Sequence, residues 1–217
     1  MNKIQFHSGL TYPVSKIIGV GRNYAAHAAE MNSRPTEDPI LFVKPPSALT
    51  YITEPLFIPE GYGQVHYELE LAVCIGKEAR NVAADEAMNF VGGYGMALDL
   101  TLRDMQKAAK DKGLPWAVAK GFDRSCPVSE FRGTKEVPNP GDLEILFKLN
   151  GAVRQQASTS MMLFPVDYLI SYISRFFTLL PGDLILTGTP AGVGPLASGD
   201  EIEASVSHIA SVKTRII

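Results

Sequence analysis

His66-Tyr67-Glu68-Leu69-Glu70-Leu71-Ala72-Val73-Cys74-Ile75 alternates with a period of two. Tyr67, Leu69, Leu71, Val73 and Ile75 form one apolar face, and His66, Glu68, Glu70, Ala72 and Cys74 form the other. The pattern reads as a β-strand that projects two carboxylates from one face, roughly 7 Å apart along the chain. Like charges that close raise each other's pKa unless something offsets them. A hard divalent cation would do so, because it takes oxygen ligands. A strand with one solvated face is the structural alternative, and this stretch alone does not choose between the two.

Around this strand, short apolar runs are separated by Gly and Pro. Ile17-Ile18-Gly19-Val20, Ile40-Leu41-Phe42-Val43, residues 143–149, 183–187 and 201–206 are strand candidates. Asn150-Gly151, Pro181-Gly182-Asp183 and Ser198-Gly199-Asp200 are turns. Three helices are expected. The first covers about residues 24–31 with Asn23 as N-cap. The second follows Thr101, with Thr101 and Asp104 as a capping box and Gly113 as the stop. The third runs from about Pro165 to Leu179 and ends before Pro181-Gly182. Strands outnumber helices and do not alternate regularly with them. That argues against a doubly wound sheet and for an α+β, mainly β fold. We expect one domain over residues 1–217, its first ~50 residues packed on the rest as an N-terminal segment carrying the first helix.

Size and charge exclude several classes. The chain has 217 residues, 46% hydrophobic, ample for a core. Its net charge of -3, without a basic run, gives no footprint for nucleic acid. Cys74 and Cys126 are too few for a disulfide framework and have no zinc-site spacing, so two buried thiols are expected. The N-terminus lacks an apolar signal segment and no run is long enough to span a bilayer, so a soluble cytoplasmic protein is expected.

A third acid adds to the two glutamates. Gly92-Gly93-Tyr94-Gly95-Met96-Ala97-Leu98-Asp99 is a Gly-rich approach to a short strand, with Asp99 at its end before the second helix. Arg103 and Gln106 share a helical face below Asp99, and a guanidinium there suits bidentate grip on a carboxylate. Viewed alone, Asp99 and Arg103 are better accounted for by a salt bridge at the helix start. His27 and Glu30, three apart on the first helix, are either a surface pair or a carboxylate-oriented imidazole able to activate water. His66 shares the glutamate face, while His7 and His208 read as surface residues. Thr187-Gly188-Thr189-Pro190-Ala191-Gly192-Val193-Gly194 lacks the Lys of a P-loop, leaving a tight turn or a cradle for a carboxylate. Lys120 is either exposed or placed to stabilise an enolate. Tyr24, Met31, Trp116 and Phe164 are candidate pocket walls, though such residues are more often core.

Taken in order, these segments resemble the fumarylacetoacetate hydrolase family in its short, single-domain branch. The match includes Gly21-Arg22-Asn23-Tyr24 with His27, Phe42-Val43-Lys44-Pro45-Pro46-Ser47-Ala48, Tyr67-Glu68-Leu69-Glu70-Leu71-Ala72-Val73 and Asp99-Leu100-Thr101-Leu102-Arg103-Asp104-Met105-Gln106. Lys120-Gly121-Phe122-Asp123, Asn150-Gly151 and the run from Pro181 to Gly194 complete it. Each motif alone is weak; their order and joint presence are specific. Arg124-Ser125-Cys126 departs from the Gly-containing turn that many relatives carry after Phe122-Asp123.

The resemblance implies a rolled mixed sheet and a homodimer. It implies that Glu68, Glu70 and Asp99 bind Mg²⁺ or Mn²⁺. His27 and Glu30 would be a water-activating pair on a helical lid, Lys120 would be catalytic, and Arg22, Asn23, Arg103, Gln106 and Thr189 would bind substrate. The implied activity is metal-dependent C–C hydrolysis of an acylpyruvate, a small 2-oxo acid, through a pyruvate enolate. Oxaloacetate decarboxylation or tautomerisation, or isomerisation of an aromatic-degradation intermediate, are alternatives at the same site. A ligand-binding module on the same fold is the non-enzymatic alternative, against which the water-activating pair argues.

Overall fold

The stretch from residue 66 to 75 forms two strands that meet at Glu68. Val65–Tyr67 pairs with Thr101–Leu102 and Gly194–Pro195, whereas Leu69–Ile75 lies between Leu184–Leu186 and Val91–Leu98. The computed structural model describes residues 3–217 apart from Asn32 and Pro35. Alternation survives the break. Tyr67, Leu69, Leu71, Val73 and Ile75 enter the larger core, while Ala72 and Cys74 enter a smaller one on the opposite face. Both faces are therefore covered, and the solvated-face alternative fails. On the even-numbered face the apolar run ends at Ala72, so the carboxylates of Glu70 and Glu68 finish inside the protein.

The main sheet is mixed and curled. Its order is Ile40–Lys44, Ile17–Gly21, Leu184–Leu186, Leu69–Ile75, Val91–Leu98, Cys126–Val128, Leu49–Tyr51, with Arg132–Gly133 also paired to Val91–Leu98. Leu184–Leu186 runs parallel to Ile17–Gly21, and Cys126–Val128 parallel to Leu49–Tyr51; the other pairs are antiparallel. A four-stranded antiparallel sheet, Ala152–Ser158, Glu144–Leu149, Glu201–Val206, Ala210–Arg215, covers the larger core. Asn150 (φ +52) and Gly151 (φ +78) turn its first hairpin, as the Asn-Gly pair predicts. The fold is thus α+β and mainly β. Ile17–Gly21 lies inside the main sheet, so the first 50 residues build the sheet rather than sit upon it.

Among the described residues, α1 (Ala25–Glu30), α2 (Arg103–Asp111) and α3 (Ala117–Gly121) carry site residues, while α4 (Val166–Phe176) packs into the larger core. Their N-terminal ends depart from expectation in two places. Tyr24, not Asn23, is the N-cap of α1. Leu102 is the N-cap of α2 without a side-chain cap, because Thr101 Oγ1 donates to Asp99 O and Asp104 accepts from Gln64 N. Strong side-chain partners outside the helix displaced the capping box. Gly113, with φ +64, does end α2. The short helix α3, which carries Lys120, had no pattern of its own. Cys74 and Cys126 are buried free thiols, each pushed up to about 12 by burial. No helix among the described residues is long and apolar enough to cross a membrane.

Candidate active site

Strand register assembles three acids. Leu69 lies opposite Leu98, so Asp99, the next residue, falls beside Glu68 and its N–H donates to Glu68 O at 2.8 Å. One carboxylate oxygen each from Glu68, Glu70 and Asp99 lies within 4.8 Å of the others, and all three residues are buried. Three cations surround them. Lys120 Nζ lies 2.8 Å from Glu68 Oε2, 2.5 Å from Asp99 Oδ2 and 2.8 Å from Thr101 Oγ1. Arg103 reaches Glu68 Oε1 at 2.5 Å and Gln106 Oε1 at 2.6 Å. Lys44 Nζ lies 2.8 Å from Asp99 Oδ1 and donates to the carbonyls of Leu100, Lys120 and Ser125.

Glu70 differs from the other two acids. Among the described residues no cation is in ion-pair contact with it, and its Oε2 accepts the Gly188 N–H at 2.6 Å. Burial, then the charges of Asp99 and Glu68, push its carboxyl well above the usual range. Burial would raise Glu68 too, but Lys120 and Arg103 outweigh it and hold that carboxyl below the usual range. Burial would lower Lys120, yet Asp99 and Glu68 keep its ammonium charged. Taking each charge out of water costs several kcal/mol, so such a cluster holds only while every member keeps its partners.

The loop after Leu184–Leu186 closes one side. Gly188 has φ +96, and a Cβ there would lie 2.7 Å from the Asn23 Cβ. Only glycine lets the backbone approach this closely and aim its N–H at Glu70. Asn23 holds the same loop: its Nδ2 donates to Thr187 O and Phe164 O, and its Oδ1 accepts from Phe164 N. Fully buried and fully bonded, Asn23 does not face the cavity, which corrects its expected substrate-binding role. Thr189 lines the cavity, but its hydroxyl proton goes to Leu69 O and Gln155 Nε2 donates to its oxygen, so it has no proton to give a ligand.

Helix α1 brings His27 to the cavity. His27 Nδ1 lies 3.0 Å from Glu30 Oε2, and Glu30 Oε1 accepts from Gly192 N at 3.0 Å, tying α1 to the loop. Arg22 (φ +63), His27, Arg103, Gln106 and Lys120 all line one cavity of about 40 Å³, walled by Met31, Phe42 and Trp116. Of the expected wall residues, Met31 and Trp116 are there; Tyr24 is in the core and Phe164 stacks on Tyr168. His66 instead bonds Gln64 Oε1, while His7 and His208 are exposed.

Residues 16–217 match the fumarylacetoacetate (FAA) hydrolase C-terminal family. The chain belongs to the fumarylacetoacetate hydrolase family. Among relatives, oxaloacetate tautomerase YcgM of Escherichia coli (strain K12) is 47% identical over 209 residues, 96% of this chain and 95% of its own. The mitochondrial oxaloacetate tautomerase FAHD1 of Homo sapiens is 46% identical over 200 residues, 92% of this chain and 90% of its own. The crystal structure of fumarylpyruvate hydrolase from Pseudomonas aeruginosa in complex with Mn²⁺ and pyruvate superposes with a TM-score of 0.95 at 36% identity, covering 99% of this chain and 95% of that one.

In this member of the fumarylacetoacetate hydrolase family the acidic cluster suits a hard divalent cation. The donors are all carboxylate oxygens, and they converge. Asp99 Oδ1 is buried without a hydrogen bond, since Lys44 approaches it outside hydrogen-bond geometry. Two residues of the cluster had escaped notice. Lys44 ends an apolar strand as Glu68 and Glu70 interrupt one, and that lone charge was the available signal. Gln155, which bridges Leu69 N to Thr189 and Pro190, gave none, because its strand is otherwise exposed.

Proposed function

We propose that the protein interconverts the keto and enol forms of oxaloacetate, with Mg²⁺ or Mn²⁺ held by Glu68, Glu70 and Asp99. The observation that carries this reading is the buried three-carboxylate cluster in a chain 46–47% identical, over nine-tenths of both lengths, to proteins named oxaloacetate tautomerase. The cation would act as a Lewis acid on an oxygen of the substrate. In enolisation the C3–H bond breaks, a C2=C3 double bond forms and the C2 oxygen takes up a proton. His27, oriented by Glu30, accepts the C3 proton and passes it to water, while water supplies the proton taken up by the C2 oxygen; the reverse direction retraces both transfers. Lys120 supplies a fixed positive charge where the enolate oxygen develops. Arg22, Arg103 and Gln106 orient the carboxylates of the substrate. A homodimer belongs to the same reading and is checked by light scattering.

The test follows the ultraviolet absorbance of enol-oxaloacetate with Mg²⁺ and then with EDTA. Metal-dependent acceleration of its decay is the expected result; no acceleration under either condition overturns the reading. His27→Ala is expected to slow tautomerisation by roughly 10²–10⁴-fold, the usual worth of a positioned acid–base group.

One observation favours a second reading. The His27–Glu30 pair also suits activation of water, and the superposed hydrolase binds Mn²⁺ and pyruvate. Hydrolysis of an acylpyruvate would instead expel a pyruvate enolate, whose charge develops on the equivalent C2 oxygen. Pyruvate release from acetylpyruvate reports that reaction, and pyruvate release from oxaloacetate reports decarboxylation.

A further inference from the structure

The cavity carries more positive charge than its acids need. Arg103, Gln106 and Lys110 recur at helical spacing on α2, and all three line the cavity with Arg22. Arg103 is committed to Glu68 and Gln106. Lys110 and Arg22 are half-buried, and among the described residues neither side chain has a hydrogen-bonding or ion-pair partner. Asp111, the next residue, is taken by Lys107 at 3.0 Å. Burial, then the nearby charges of Arg22 and Arg103, lower the pKa of the Lys110 ammonium. Such a cluster costs free energy in the free protein, and an anion relieves it.

We propose that Lys110, with Arg22 beside it, anchors the second carboxylate of a four-carbon 2-oxo diacid and so makes the site select dianions over 2-oxo monoacids. The placement fits. Lys110 lies two turns beyond Arg103, about 10 Å along the helix axis. Helical side chains tilt toward the N-terminus, so its long stem leans back over the cavity toward Arg103. The 2-oxo acid end sits by the acidic cluster, and the far carboxylate meets Lys110 and Arg22. An acylpyruvate with an uncharged acyl group would leave both cations unanswered. This inference rests on the tautomerase reading for its substrate class, but not for its test.

Malate and lactate share a 2-hydroxy acid head and differ by the distal carboxylate, and neither enolises. Their Kd values are measured by calorimetry on the Mg²⁺-loaded protein and on Lys110→Met and Lys110→Arg. The wild type is expected to bind malate at least tenfold more tightly than lactate. Lys110→Met should remove most of that preference while lactate binding stays within about twofold, and Lys110→Arg should retain it. Lactate binding also reports that the variant's site is intact. A wild type without preference for malate, or a Lys110→Met variant that keeps it or loses both ligands equally, overturns the proposal. If the enol assay fails while the preference for malate depends on Lys110, the reaction falls and the diacid site stands.

Discussion

Among the described residues Glu70 is the acid of the cluster that no cation touches, and its partner is the Gly188 backbone N–H. Glu68 and Asp99 are instead bound to Lys120, Arg103 and Lys44. Lys44→Met would leave Asp99 short of a counter-charge and three buried carbonyls short of a donor. Removing one member of a buried pair costs about 3–5 kcal/mol. Urea unfolding in EDTA should show a loss of that order, and a loss under about 1 kcal/mol would mean the lysine is dispensable. His66 gives a pH prediction. Burial, then the charge of Arg103, lowers it from its ordinary 6.5 to about 4, and its Nδ1 is buried without a partner. The unfolded chain therefore binds this proton first. Stability is lost as pH falls from about 6.5 toward about 4. His66→Gln should flatten that part of the stability profile; an unchanged slope would contradict the assignment.

At the scale of elements, the sequence showed clearly whatever depended on local pattern. The period of two placed Glu68 and Glu70 together, Asn150-Gly151 turned its hairpin, and Gly113 ended α2. What failed depended on distant partners. Thr101 and Asp104 have the spacing of a capping box, but Asp99, Lys120 and Gln64 take their side chains. Asn23 stands where a cap belongs, yet it fastens the Thr187–Gly188 loop to Phe164. Lys120 looked isolated because α3 has only five residues and its partners, Glu68, Asp99 and Thr101, come from two other segments. The glycine loop carries a prediction of its own. Gly188→Ala puts a Cβ 2.7 Å from Asn23 at a positive φ. Strain of this kind costs roughly 1–3 kcal/mol. The loop should shift its N–H away from Glu70, lowering the melting temperature and weakening Mn²⁺ binding together. Full Mn²⁺ affinity in a destabilised Gly188→Ala protein would separate loop from site.

Across the whole molecule, a curled sheet with a core on each face leaves one edge of its smaller core acidic. The alternation at residues 66–75 foretold two faces but not that both would be covered. Coverage comes from the four-stranded sheet over the larger core and from Ile4, Phe6, Val14 and Phe131 in the smaller one, all distant in sequence from residues 66–75. Arg124 adopts φ +61 where relatives were expected to carry glycine, and the adjacent Ser125 bonds Lys44. The departure in sequence thus leaves the turn in place, and with it the buried lysine. The central claim is that Glu68, Glu70 and Asp99 form one divalent-cation site that serves enol chemistry. Electron paramagnetic resonance titration with Mn²⁺, on the wild type and on Glu70→Gln, tests it most directly. The account predicts one tightly bound Mn²⁺ per wild-type chain, an affinity at least 100-fold weaker in Glu70→Gln, and a parallel loss of oxaloacetate tautomerisation. Equal Mn²⁺ binding by the two proteins would contradict it.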